Sequence, residues 1–226
     1  VRPENGFSTL AAKAAMLNNR YRYHAAVAVL EHALGDDDVG RVALVSSFGA
    51  ESVVLLHMIS VMDRTTPVLF IDTEMLFEET LTYQRDVAAK LDLTNVQMIR
   101  ADAGAVADTD PDGTLHLTDA DACCTLRKTE PLERALLGFD AWITGRKRFQ
   151  AGSRATLDYM INNRLPRHPL VARGYPSIGC APCTSPVKPG EDPRAGRWRG
   201  LDKEECGIHF IDGKLVRGPL RKENAA

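Results

Sequence analysis

The sequence predicts an α/β fold, a parallel twisted sheet flanked by helices, on three observations. Short runs that are apolar on successive residues, such as Val42-Ala43-Leu44-Val45, recur along the first 145 residues. Amphipathic stretches of helical spacing separate them, and each run ends in polar, glycine-bearing or acidic residues. Strands apolar on both faces that alternate with helices read as a parallel sheet covered by helices on both sides. Residues 7–34 carry Leu10, Ala14, Leu17, Tyr21, Ala25 and Leu30 at near-helical spacing, and Gly35-Asp36-Asp37-Asp38 is a stop, which gives one or two helices. Val42–Val45 is then a strand that turns through Ser46-Ser47-Phe48-Gly49-Ala50-Glu51 into a helix over Ser52–Met62. Further on, Pro67–Ile71 reads as strand, Leu76–Leu91 as helix, Val96–Ile99 as strand, Thr125–Leu137 as helix and Ala141–Thr144 as strand. Pro131 fits best near a helix start, which sets that of the last helix close to Arg127 or Lys128. Residues 166–200 hold seven of the twelve prolines and five glycines, too many for long regular elements, so this is a loop-built region, of a length that is usually either functional or disordered. Asp212-Gly213 predicts a small hairpin in the tail.

The chain has 226 residues, 44% hydrophobic and 26% charged, enough for one substantial core. The expected organisation is one domain over residues 1–200 and a flexible C-terminal tail over 201–226. No apolar run reaches the roughly 18 residues of a membrane span. Val1-Arg2-Pro3-Glu4-Asn5 lacks the basic-then-apolar pattern of a secretion signal. With five cysteines, an odd number for a disulfide framework, this places the protein in the cytoplasm and gives the cysteines metal or catalytic roles. The net charge of −2 conceals an asymmetry: residues 1–145 carry 12 Lys+Arg against 22 Asp+Glu, and 146–199 carry 11 against 3. A basic block among glycines and prolines suits a small polyanion better than nucleic acid, because its prolines would break a recognition helix.

In a parallel sheet, ligands bind at the carboxyl ends of the strands. Three such ends carry chemistry: Ser46-Ser47-Phe48-Gly49, Asp72-Thr73-Glu74 and Gly145-Arg146-Lys147-Arg148. The first is either an anion cradle built from backbone N–H groups or an ordinary turn with Ser52 capping the helix; it lacks the lysine of a Walker A loop. Cys123-Cys124 and Cys180-x-x-Cys183 supply four thiolates in two pairs. Adjacent cysteines suit the separate corners of a four-iron cluster better than one tetrahedral zinc, whereas core packing would explain the first pair alone. Cys206, in Glu205-Cys206-Gly207-Ile208-His209, stands apart in a polar tail. It is either a nucleophile, with His209 as partner or bystander and Arg194, Arg197 and Arg199 as the cationic site that receives it, or an incidental surface thiol. Lys128 follows the cysteine pair closely enough to act on both a cluster and an anionic ligand.

Together these residues resemble the assimilatory sulfonucleotide reductases, in particular the bacterial iron–sulfur adenylyl-sulfate (APS) reductases. The resemblance spans roughly residues 40–217. It rests on Ser46-Ser47-Phe48-Gly49-Ala50-Glu51, Phe70-Ile71-Asp72-Thr73, Cys123-Cys124-x-x-Arg127-Lys128 with Glu130-Pro131-Leu132, and Thr144-Gly145-Arg146-Lys147-Arg148. It continues through Gly174-Tyr175-Pro176-Ser177-Ile178-Gly179-Cys180-x-x-Cys183-Thr184, Pro193-Arg194-x-x-Arg197-Trp198 and Glu205-Cys206-Gly207-Ile208-His209. The resemblance implies an adenine nucleotide α-hydrolase-like sheet with a [4Fe-4S] cluster on Cys123, Cys124, Cys180 and Cys183. Adenosine would lie near Leu69 and Gly145, and the phosphosulfate near Ser46, Ser47, Phe48, Gly49, Lys128, Arg148, Arg154, Arg194 and Arg197. Cys206 would attack the sulfur of APS and expel AMP. Thioredoxin or glutaredoxin would then release sulfite for assimilatory sulfate reduction and cysteine biosynthesis. No membrane or nucleic-acid partner is implied, and a homo-oligomer is compatible with the reading.

The sequence departs from the family in two places. Phe48 stands where several relatives carry a second serine. After Gln150 and Arg154 the chain passes almost directly from Asp158 to Tyr159, where relatives carry another strand with an Asn-Pro-Leu motif and part of a helix. Either the protein is natively shorter here or a segment is left out between about Asp158 and Tyr159, and the second is favoured because part of a core layer is costly to lose. Three other readings stay open. Reduction of the 3′-phosphorylated nucleotide (PAPS) is a close variant, although relatives taking that substrate usually lack the cluster cysteines. A tRNA-thiolating enzyme would need a Gly-Gly-x-Asp-Ser loop that is missing here, and a zinc-stabilised nucleic-acid-binding module is motivated by the basic block.

Overall fold

A computed structural model describes residues 5–145, 168–201, 203, 208–211 and 214–217. The chain divides into two compact units, Val1–Gly40 and Arg41–Ala226. The first contains α1 (Asn5–Arg20) and α2 (Ala26–Gly35). Its connection is held by Arg20, which bonds Asp36 at 2.6 Å and Asp38 at 2.8 Å, and by the Tyr21 hydroxyl on the same Asp36 carboxylate. The rings of Tyr21, His24 and His32 pack together beside these groups.

The second unit contains the predicted sheet. β1 (Val42–Ser46), β2 (Val68–Ile71), β3 (Val96–Ile99) and β4 (Ala141–Thr144) lie in the order β3-β2-β1-β4, all parallel. α3 (Ser52–Met62) and α4 (Glu78–Lys90) follow β1 and β2. α5 (Ala103–Thr109), α6 (Leu115–Thr118), α7 (Ala120–Cys124) and α8 (Glu130–Leu136) lie between β3 and β4. The register pairs Leu44 with Val68 and Ser46 with Phe70, so these four share one face and Ala43, Val45, Leu69 and Ile71 the other. Ala43 and Leu69 pack with Leu132 of α8, joined by Val45, Ile71, Ile99 and Phe139. On the opposite face Leu44, Val68 and Phe70 are almost wholly buried. Burial on both faces is what makes these strands read as continuous apolar runs. The order reverses between β1 and β4, so their C-terminal loops flank the crevice where such sheets take ligands. Among the described residues, no helix is long and apolar enough to cross a membrane.

The four strands fall where the sequence puts them. One helix does not: the stretch expected to start near Arg127 begins at Ala120, and α7 runs through a π-helical turn, Thr125–Thr129, into α8. Asp119 caps it, accepting bonds from the backbone N–H groups of Asp121 and Ala122 at 3.0 and 2.9 Å. Pro131 therefore sits mid-way along a continuous helical segment, directly after the π turn. A π turn shifts the backbone bonding frame, and Pro131 has no N–H to contribute to it. The capping alternative for Ser52 is not realised: Glu51 holds the N-cap position and makes no side-chain capping bond.

The proline-rich region folds as turns: a 3₁₀ turn over Pro169–Arg173, a second over Ala181–Cys183, and extended segments between. His168 bolts its start to α4. Its ring is almost wholly buried against Tyr83, with Nε2 3.1 Å from the Thr80 hydroxyl and Nδ1 accepting from the Leu170 N–H at 3.2 Å. In the tail, β5 (Ile208–Ile211) pairs antiparallel with β6 (Lys214–Arg217), the hairpin expected around Asp212-Gly213.

Burial pushes the His168 pKa down to about 4, with Glu79 opposing it weakly. The neutral ring is favoured in the fold, while the unfolded chain protonates near the ordinary value of about 6.5. Its contribution is therefore complete above pH 7 and fades as pH falls from about 6.5 to 4, by on the order of 2–3 kcal/mol. Denaturant titrations across pH 4–8 should show this slope in the parent chain and lose it in His168→Gln.

Candidate active site

The loop after β1 turns back on itself. Phe48 has φ 47°, a left-handed conformation that bulky residues rarely adopt, and its N–H bonds the Ser46 hydroxyl at 3.2 Å. The cost of that backbone is offset by the Phe48 ring, which is fully buried edge-on against Phe70 at 5.3 Å. Phe48 thus gives its side chain to the core and only its backbone to a ligand. Leu69, fully buried within β2, is placed likewise. Ser47 is exposed at the loop's outer edge, and Gly49 lies buried behind it. A Cβ on Gly49 would come within 3.3 Å of the Ser47 hydroxyl, so the glycine keeps that hydroxyl close to the backbone. Gly145, exposed directly after β4, forms the other side of the crevice.

β2 ends in Asp72-Thr73-Glu74, which organises the cysteines rather than the crevice alone. Asp72 is buried, pairs with Arg100 at 2.8 Å and accepts the Glu74 N–H at 2.9 Å. Thr73 Oγ1 lies 3.2 Å from the Cys180 sulfur. The Ala181 N–H donates to the Met75 carbonyl at 2.7 Å, and Leu76 bridges to Cys180 in antiparallel fashion. The Cys180–Cys183 turn is thereby stitched to the end of β2.

Cys123 and Cys124 are buried at the end of α7, and the π turn that follows aims Arg127 inward. Its guanidinium, 6% exposed, bonds Asp110 through Nε (3.2 Å) and Nη2 (2.9 Å) and the Thr73 carbonyl through Nη1 (3.3 Å), with Glu74 at 3.6 Å. Burial alone would raise the Asp110 pKa; the Leu115 N–H and Arg127 outweigh it and hold the carboxyl below its usual range. One arginine so ties the Cys123–Cys124 helix to the strand end that holds Cys180. The Cys123 thiol is pushed up to about 11, first by burial and then by the nearby Cys180, with Arg127 opposing and Cys183 and Asp110 adding to the rise. Cys180 and Cys183 thus act electrostatically on Cys123, the first pair being buried and the second half-buried, and none of the four is in a disulfide. Among the described residues, no group of three or more His, Cys, Asp or Glu side chains is arranged to hold a metal ion. The donor set suits a polynuclear centre, whose ligands go to separate metal corners. Lys128, half-buried, is the next residue on the π turn.

The rest of the wall is the segment 184–199. Ser185 donates its N–H to the Gly196 carbonyl at 2.8 Å, Trp198 donates to the Cys183 carbonyl at 2.9 Å, and Thr184 bridges to Arg197. Arg199 braces this turn with bonds to Glu191, Ser185 and Pro186. A Cβ on Gly196 would overlap the Ser185 carbonyl, and one on Gly179 would overlap the Arg197 guanidinium. Only glycine beside Cys180 lets Arg197 lie there, with its guanidinium 4.4 Å above the Trp198 ring. Arg194 is half-buried on the same turn, its N–H bonded to Asp192 at 2.7 Å.

The structure thus brings Cys123, Cys124, Cys180, Cys183, Lys128 and Arg197 into one region, with the Ser46–Gly49 loop on the neighbouring strand end. His209 lies on β5, opposite Val216 in register. Cys206, Arg148 and Arg154 lie outside the described residues. Sequence reasoning missed the structural role of Arg127, which it quoted only as part of a motif. It missed Asp110 altogether, although Asp110-Pro111-Asp112-Gly113 carries a turn signal next to that buried carboxylate.

Arg127→Met should cost roughly 3–5 kcal/mol, because it leaves the Asp110 charge buried without its partner. Denaturant midpoints should show part of that loss recovered in Arg127→Met/Asp110→Asn; an equal loss in both would place the cost elsewhere. Gly179→Ala should displace the flexible Arg197 side chain from Trp198, changing tryptophan fluorescence at little cost in stability, whereas Gly196→Ala, which meets the Ser185 backbone, should cost about 1–3 kcal/mol through overpacking.

The phosphoadenosine phosphosulfate reductase domain matches residues 41–160 and 156–186. The two matched ranges overlap at residues 156–160. An adenosine 5′-phosphosulfate reductase of Mesorhizobium japonicum is 48% identical over 225 residues, covering 89% of this chain and 89% of that protein. A phosphoadenosine 5′-phosphosulfate reductase of Gloeobacter violaceus is 34% identical over 198 residues, covering 75% of this chain and 82% of the relative. Among solved structures, the phosphoadenylyl-sulfate (PAPS) reductase from Candida auris, in a phosphate complex, superposes with a TM-score of 0.62 at 26% identity, over 76% of this chain and 95% of that one. With the family model matched over more than half of its length and a relative 48% identical over 89% of it, the chain belongs to the phosphoadenosine phosphosulfate reductase family.

Proposed function

We propose that this chain is an adenylyl-sulfate reductase that converts APS to sulfite and AMP in assimilatory sulfate reduction, working in the cytoplasm. The observation that carries the reading is the meeting of two cysteine pairs beside the strand-end crevice, joined by Thr73 and Arg127. Relatives named for APS up to 48% identity support APS over PAPS as the substrate. Residues 1–200 form the nucleotide-binding and cysteine-bearing part, and 201–226 the catalytic tail.

The crevice between the β1 and β4 loops takes the nucleotide, with adenosine against the backbone near Leu69 and Gly145. The Ser46–Gly49 loop offers N–H and hydroxyl donors to the phosphosulfate. Lys128, Arg194 and Arg197, with Arg148 and Arg154, neutralise its charge, and this lowers the barrier most as AMP departs. The Cys206 thiolate attacks the sulfur. An S–S bond forms, the bond from sulfur to the phosphate oxygen breaks, and AMP leaves with the electron pair. His209, three residues along, is assigned to the same tail chemistry. Two electrons from a thioredoxin or glutaredoxin dithiol then release sulfite, regenerate the Cys206 thiol and leave the reductant as its disulfide. The thiols of Cys123, Cys124, Cys180 and Cys183 fit a [4Fe-4S] cluster, which when bound would supply structural bracing and local electrostatics rather than electrons.

Anaerobically purified protein incubated with APS and no reductant should gain one sulfonate, which peptide mapping would locate on Cys206. Cys206→Ser should abolish both adduct and turnover while iron and sulfide content stay unchanged. Loss of iron in that variant would overturn the assignment of nucleophile and ligands. A kcat/KM higher for PAPS than for APS would overturn the substrate.

A further inference from the structure

Lys203, three residues before Cys206 in sequence, is held by two parts of the fold. Lys203 is 9% exposed, although lysine is among the residues least often buried. Its ammonium donates to the Ala120 carbonyl at 3.2 Å and to the Asp121 carboxylate, and it lies 5.8 Å from the centroid of the Trp198 ring. Trp198 is itself buried, held at φ 49° with its N–H on the Cys183 carbonyl. Lys203 therefore joins the first turn of α7, two residues before Cys123, to the wall that carries Cys183. A desolvated ammonium needs a compensating charge, and Asp121 is the carboxylate that supplies it. Cys206 comes three residues after Lys203, a span of at most about 11 Å.

We propose that Lys203 and Asp121 are positioning residues for the reaction. Their ion pair pins the root of the C-terminal segment to the cysteine-bearing helix and so delivers Cys206 to the sulfur of the bound nucleotide. This rests on the reading of Cys206 as the nucleophile. Holding a thiolate on a short tether raises its effective concentration at the substrate, and a small misplacement of a reacting atom is costly in rate. The pair touches neither substrate nor reacting atoms in this role, so its loss should slow the sulfur transfer without weakening nucleotide binding.

The test uses the full chain in its iron-loaded form. Lys203→Met keeps the apolar stem over Trp198 and removes the charge. In single turnover without reductant, it should lower the rate of Cys206 sulfonation by about 10- to 100-fold. The Kd for APS should stay within about twofold and the iron content unchanged. Asp121→Asn should behave alike, the double variant should be no worse than either single one, and Lys203→Arg should recover most of the rate. Equal sulfonation rates in Lys203→Met and the parent would overturn the proposal, as would a loss of iron or nucleotide affinity that accounts for the slower rate. Amide hydrogen exchange of peptides covering residues 198–207 in nucleotide-free protein provides a second readout: faster exchange in Lys203→Met supports the tether, and unchanged exchange overturns it. A parent chain that is never sulfonated would count against Cys206 as nucleophile alone, because exchange reads the tether without substrate.

Discussion

The buried guanidinium of Arg127 is the constraint on which the rest of the site depends. A charge this deep is tolerated only if its donors are satisfied, and three of them are, by the Asp110 carboxylate and the Thr73 carbonyl. Those partners belong to different layers: Thr73 ends a core strand, and Asp110 follows α5. Satisfying one arginine therefore fixes the helix bearing Cys123 and Cys124 against the strand end that receives Cys180. The π turn serves the same requirement, since the extra residue it accommodates changes which side chains face inward immediately after the cysteine pair.

A second set of constraints is steric. Gly196 lies where the Ser185 backbone takes the space a Cβ would need, so the wall after the second cysteine pair closes there only with glycine, and Gly179 leaves room for the Arg197 guanidinium. Phe48 and Trp198 hold left-handed backbones in the two loops that border the site. In each case a buried ring over-determines the conformation, Phe48 on Phe70 and Trp198 between Arg197 and Lys203. The loops are thus rigid where a ligand would need preformed donors, and the rigidity comes from aromatic packing rather than from regular hydrogen-bonded structure.

The basic block divides into two uses. Arg173 pairs with Glu79 and Arg199 with Glu191, so these charges are spent on bracing the turn-rich segment. Arg197 lies over the Trp198 ring beside the cysteine turn, and Arg194 is half-buried on the same segment. A count of positive residues overstates the field offered to an anion, because carboxylates from α4 and from the segment itself neutralise part of it.

The sequence alone determined the strands, most clearly β1 and β2, where both-face burial leaves continuous apolar runs. It determined the pairing of the cysteines into two sets, because residue type and spacing are local. It also determined the family, through the final Glu205-Cys206-Gly207-Ile208-His209 taken with those pairs. What only the tertiary structure decided are the long-range partners: Arg127 with Asp110, 17 residues away; Cys180 with Thr73, 107 away; and Lys203 with Ala120 and Asp121, more than 80 away. It also moved the start of one helix from Arg127 back to Ala120, since Pro131 signals a helix start locally while the capping Asp119 and the π turn allow the helix to continue through it. The physical reason is the same throughout: propensity and periodicity act over a few residues, whereas the desolvation of a buried charge is settled by whichever partner the folded chain brings near.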